Sequence, residues 1–178
     1  MYPLAFATLG VALVAFWLAW VQPQDTARIN QARATVYAAN FWTYRDALVA
    51  YQNDNFQNAI GPISNAALST PMPQRPSGYF TLGYQPIQTG TPAVNLWKNY
   101  FDGGRLYTFS SIPARDLPPG VIDSLFNYRG RSLMMGIKQA DGTLLTAFRL
   151  NTPPYSAATF TLPASAGIPV GALVAVGN

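Results

Sequence analysis

The sequence predicts an α+β protein: an N-terminal transmembrane helix followed by a small domain in which one long helix packs on an antiparallel sheet. Three observations predict it. An uncharged apolar run opens the chain, aromatic and aliphatic residues then recur at helical spacing as far as Tyr51, and two glycine-containing hairpin turns follow in the second half.

From Met1 to Gln24 no side chain is charged, and residues 4–21 are apolar except for Thr8. Eighteen helical residues at 1.5 Å rise cover about 27 Å, close to the hydrocarbon core of a bilayer. Leu4, Leu9, Leu13, Phe16, Trp17 and Trp20 are the large side chains of this span. The two tryptophans lie at one end and Tyr2 at the other, where amphipathic rings favour the headgroup level. Gln22-Pro23-Gln24 is expected to interrupt the helix on its wet side. Residues 1–24 then form a membrane anchor and residues 25–178 a soluble extracytoplasmic domain.

A cleaved signal peptide carries a basic leader and small residues before the cut. Here nothing basic precedes Arg28, and Trp17, Leu18 and Trp20 are bulky, so the span is expected to remain attached. A buried core helix seldom lacks a polar face at the N-terminus of so small a domain. Charge bias alone would leave the body of the chain in the cytoplasm, because Arg28, Arg33 and Arg45 all follow the span. That rule weakens for long translocated domains, and a body with two Lys, no Glu and abundant Asn, Gln, Ser, Thr and Pro has an extracytoplasmic composition.

Asp25-Thr26 can cap a second helix running toward Asn53, along which Tyr37, Phe41, Tyr44, Leu48 and Tyr51 fall 4, 3, 4 and 3 residues apart. That stripe is expected to bury against sheet residues Leu106, Phe109, Leu133, Ile137 and Leu145. Phe56 to Pro92 holds six Pro and four Gly, so it reads as loop with a short helix near Ser64–Ser69 and a possible strand at Tyr79–Tyr84. Leu96–Phe101 and Arg105–Phe109 flank Asp102-Gly103-Gly104, a hairpin. Pro118-Pro119 opens a short helix through Phe126. A second hairpin joins Leu133–Lys138 to Thr143–Phe148 through Ala140-Asp141-Gly142, and Ala172–Val176 can add a closing strand.

Composition excludes much chemistry. The 178 residues contain no Glu, His or Cys, all seven acids are Asp, and nine of the eleven bases are Arg. Zinc sites of the usual kind, Ser-His-Asp and Cys-His triads and haem or iron–sulfur ligation are therefore absent. No cofactor and no small-molecule substrate are expected. The net charge of +4 is spread along the chain, with only Arg129 and Arg131 paired locally, so no nucleic-acid footprint is expected and the arginines read as solvated surface.

The anchor, Ala39-Asn40-Phe41 with Tyr44-Arg45 and Tyr51, Gly61-Pro62-Ile63, Leu96-Trp97-Lys98-Asn99, Asp102-Gly103-Gly104-Arg105-Leu106-Tyr107, Ser132-Leu133 with Gly136, and Gly167-Ile168-Pro169-Val170-Gly171-Ala172-Leu173-Val174 together resemble the PilM family of type IVB thin pili, encoded by conjugative plasmids and related bacterial elements. The resemblance covers most of the chain. It implies a non-enzymatic, single-pass inner-membrane protein with its soluble domain in the periplasm. Such a protein acts in the pilin transport apparatus or pilus basal body, with other pilus assembly proteins as partners. It brings no catalytic residues. The chain departs from the pattern in a longer Pro-rich stretch at Thr70–Pro92 and in Tyr155–Pro163.

Two other functions share parts of this layout. A minor pilin or pseudopilin shares the layout, but prepilins carry a basic leader and usually an acid near the new N-terminus, and neither precedes Asp25. A periplasmic hydrolase would need paired carboxylates, and Asp102, Asp116, Asp123 and Asp141 are better explained by turns and a short helix. The expected chemistry is contact, with Tyr79 and Phe80 of the Pro-rich loop, and Trp97 and Tyr107 of the Leu96–Phe109 hairpin, as candidate partner contacts.

Overall fold

The computed structural model describes residues 2–55, 60–128, 134–146 and 160–177, with the side chains of residues 2–9 and 128 outside that description. In chain order the elements are α1 (Tyr2–Asn55), α2 (Asn65–Ser69), β1 (Gln88–Thr89), β2 (Val94–Asn95), β3 (Trp97–Asp102), β4 (Arg105–Pro113), α3 (Val121–Tyr128), β5 (Met134–Lys138), β6 (Thr143–Thr146), β7 (Phe160–Thr161) and β8 (Ala172–Gly177). Strands β1 and β2 make a small ribbon, and the other six form one antiparallel sheet in the order β3-β4-β8-β5-β6-β7. This is the expected α+β arrangement of one long helix and an antiparallel sheet.

Both hairpins form where the turn chemistry places them. Asp102 pairs with Arg105, and Gly103 and Gly104 take φ of 56° and 84°, a two-residue loop that only glycines fill without strain. The terminal strand departs from expectation. Strand β8 does not close an edge but lies between the hairpins, pairing with β4 on one side and β5 on the other. Each hairpin leaves one edge open, and the Ala172–Val176 run is apolar at every position, as a strand buried on both faces requires. No strand forms over Tyr79–Tyr84. The Tyr84 N–H closes a turn on the Thr81 carbonyl at 3.0 Å, and Gly83 at φ 82° takes the chain out of the extended region.

The long helix runs unbroken through Pro23, so the expected break at Gln22-Pro23-Gln24 does not occur. An interior proline costs about 3 kcal/mol through one lost hydrogen bond and a local clash, a penalty the helical turns on either side can absorb. The expected transmembrane span is not supported as drawn: among the described residues no helix is long and apolar enough to cross a membrane. The described side chains of α1 begin at Gly10, so they take in only the last twelve residues of the apolar run before Gln22, Pro23, Gln24 and Asp25. The Leu4 and Leu9 part of the span lies outside the described side chains. Leu13, Phe16, Trp17 and Trp20 are all well exposed on the helix, at 61%, 66%, 62% and 62%.

From Ala34 onward α1 enters the core. Ala34, Ala38, Phe41, Tyr44 and Leu48 pack with Leu106, Met135, Leu173 and Ala175 of the sheet and with Val121 and Leu125 of α3, and Tyr37 and Tyr51 join at the margin. The helical stripe thus buries as expected, with Ile137 among its partners. Phe109 is a correction: it lies on the opposite face, in a second cluster with Tyr100, Tyr107, Leu144, Val174 and Val176 beneath Leu162 and Ile168. Period-2 alternation explains this, since Leu106 and Phe109 are an odd number of residues apart. Leu133 lies outside the described residues.

Candidate partner-binding site

Three of the four aromatic residues expected to meet partners are buried. Tyr79 is 7% exposed, edge-on to Tyr51 at 5.2 Å and beneath the Arg75 guanidinium at 5.0 Å. Trp97 is 2% exposed and packs edge-on against Phe41 at 5.0 Å. Tyr107 is buried on the other sheet face near Phe160. Phe80 is half-buried, stacked on Tyr84 at 4.3 Å with Tyr44 on its other side. The four do not converge on one surface. Rings in a Pro-rich loop have large apolar area to hide, and here the underside of the loop folds back on α1 to hide it.

The edge of β3 is also closed by the chain itself. Gly61 and Phe101 exchange both backbone hydrogen bonds at 2.9 Å. Two residues along, the Asn99 side chain accepts from the Ile63 N–H at 2.7 Å and donates to the Ile63 carbonyl at 2.8 Å and the Tyr44 hydroxyl oxygen at 2.6 Å. Residues 61–63 thereby act as an added strand along the outer edge, which is one way natural sheets blunt such edges. Asn99 is 5% exposed and Tyr44 2%, while Ile63 is half-buried. Burial pushes the Tyr44 phenol above its ordinary value, and the hydrogen bond from Asn99 opposes that shift.

Beside this closed edge runs an open groove of about 590 Å³. Pro62–Asn65 and Ala93–Asn95 line one part of it and Ser165–Gly167 with Pro169 another, with Tyr100 and Phe109 of the sheet between them. Both sheet rings are buried, at 8% and 3% exposure, and the Tyr100 hydroxyl bonds the Ser165 hydroxyl at 2.8 Å, tying strand to turn. Lys98 stands exposed on β3 two residues before Tyr100, on the same face. Val94 on the rim is 42% exposed. The lining therefore offers apolar area, amides, hydroxyls and one ammonium group. Such groups can make apolar and hydrogen-bonded contacts. Among the described residues no group of three acids could hold a metal ion.

One buried residue runs against the expectation that the arginines are solvated. Arg45 is 3% exposed, and its guanidinium donates to the Thr108 hydroxyl at 3.2 Å and the Ala175 carbonyl at 3.5 Å. Burial lowers its pKa to about 10, against the raising effect of Asp46. A signal was present: Ala34, Ala38, Phe41, Arg45 and Leu48 repeat every three or four residues, which places Arg45 on the core face. The groove had no such signal, because its walls come from segments some seventy residues apart in sequence and more.

The model of the PilM family matches residues 10–176, nearly the whole chain. No curated protein and no solved structure matches it. A match that takes in α1, both hairpins and the central terminal strand identifies the chain as a whole: it belongs to the PilM family.

Proposed function

We propose that the protein is a non-enzymatic, membrane-anchored component of a type IVB pilus biogenesis machine that holds other pilus proteins in the basal body or pilin transport apparatus. The observation that carries this reading is the PilM match over residues 10–176, since family membership points to a role in pilus biogenesis. Two further features support it. The N-terminal part of α1 stands clear of the core and exposes Val11, Leu13, Val14, Phe16, Trp17, Leu18 and Trp20, a dense apolar surface that is unfavourable in water and suited to lipid. The groove residues offer contact chemistry on the opposite part of the molecule.

In this reading α1 enters the inner membrane through residues 4–21, and the sheet domain faces the periplasm. Deleting the gene and counting pili tests the role; expected is loss of pili and of conjugation, restored by the full chain. Normal pili in the deletion strain would overturn it. Carbonate extraction of the full chain and C-terminal reporter fusions test the anchor and its orientation. A chain released by carbonate, or a reporter active only in the cytoplasm, would overturn that part.

A further inference from the structure

Among the described residues, the groove beside β3 is lined by one cation and no anion. Lys98 is its charged lining residue, and no Asp lines it. The C-terminal segment that builds one wall supplies no acidic side chain, since the last acid in the sequence is Asp141. The apolar part of the groove is equally specific. Tyr100 and Phe109 are already buried beneath it while Ala93 and Val94 stay exposed on the rim, so a side chain laid against those two would cover area now in water.

We propose that this groove takes an extended, acidic segment of a pilus-assembly partner, with an apolar side chain seated against Ala93 and Val94 and a carboxylate paired with the Lys98 ammonium. Charge complementarity selects the class. A single lysine is too little for a nucleic-acid backbone, which calls for several bases on one face. A volume of about 590 Å³ matches a short peptide stretch, within the usual size of ligand clefts. The segment lies in the groove and does not add to the sheet, because residues 61–63 already occupy the β3 edge. Reading the partner as a pilus protein rests on the function proposed above; the chemistry of the site does not.

The test is selection of phage-displayed random heptapeptides on the full-length chain in lipid nanodiscs, with the wild-type chain and Lys98→Glu run in parallel. Expected is enrichment of peptides combining Asp or Glu with an aliphatic or aromatic residue. Synthetic versions should bind Lys98→Glu about tenfold more weakly, and wild type more weakly as salt rises. Lys98 is exposed, so the variant should melt like the parent, which a thermal scan verifies. Enriched peptides without acids, equal binding to Lys98→Glu, or no enrichment over empty nanodiscs would each overturn the proposal. Normal pili after gene deletion would overturn the biogenesis role and leave the peptide result standing, so the two failures are separable.

Discussion

Asn99→Ala should loosen the wall of the groove and destabilise the whole domain. The Asn99 carboxamide makes three hydrogen bonds inside the protein, at 2.7, 2.8 and 2.6 Å, and it is 5% exposed. Truncation removes all three and strands the Ile63 N–H, the Ile63 carbonyl and the Tyr44 hydroxyl where water enters poorly. At about 0.5 to 1.5 kcal/mol net for each bond, the sum is about 1.5 to 4.5 kcal/mol. For a chain of this size that corresponds to a fall in Tm of roughly 3 to 18 °C. Near-UV circular dichroism melts of the full chain in detergent read the global loss, and amide exchange of a peptide spanning residues 60–65 reads the local one. Faster exchange is expected there even where the domain is still folded, because the Ile63 amide loses its acceptor. Asn99→Asp keeps an acceptor for the Ile63 N–H but sets a buried carboxylate against the Ile63 carbonyl, so it should also melt below the parent. A parent-like melt with unchanged exchange at 60–65 in Asn99→Ala would refute the claim that this side chain closes the sheet edge.

Phe41→Ala should cost about 3 to 5 kcal/mol, because the ring is 0% exposed and lies edge-on to Trp42 and Trp97; a urea midpoint equal to the parent's would place that ring outside the core. Gly136→Ala should disrupt the β5–β6 pairing, since an added Cβ collides with the Leu145 backbone carbonyl, and a soluble variant with parental stability would contradict that close approach. Alkaline stability should respond to Tyr84→Phe. Burial, and secondarily Tyr44, holds the Tyr84 phenol far above 10.0, so its stabilising contribution is complete below that value and is lost as pH rises past it. Arg45 acts the other way, its folded value near 10 against 12.5 unfolded adding stability as pH rises between them. Removing the phenol should therefore shrink the net loss above pH 10, and identical pH profiles for parent and variant would refute it.

Local rules carried much of the fold. The stripe from Tyr37 to Tyr51 was legible because a helix repeats every 3.6 residues and one side of it faces the sheet. The hairpins were legible because turn positions at positive φ favour glycine, Gly103 and Gly104 in the first and Gly142 in the second. The same kind of rule failed at Pro23, whose penalty is real but local, and at Tyr79–Tyr84, where β-prone rings are overruled by a turn and by stacking on α1.

The sequence by itself determined the α+β class, the helical stripe, both hairpins and the absence of the residues most catalytic sites need. Each of these depends on neighbours within a few residues or on composition alone. Tertiary structure decided the rest. It placed β8 between two hairpins, turned Phe109 away from the helix, buried Tyr79, Trp97 and Tyr107, and closed the β3 edge with residues 61–63. These outcomes depend on which strand edges and apolar faces remain unpaired after the local elements form, a competition among segments up to about a hundred residues apart that no local pattern encodes.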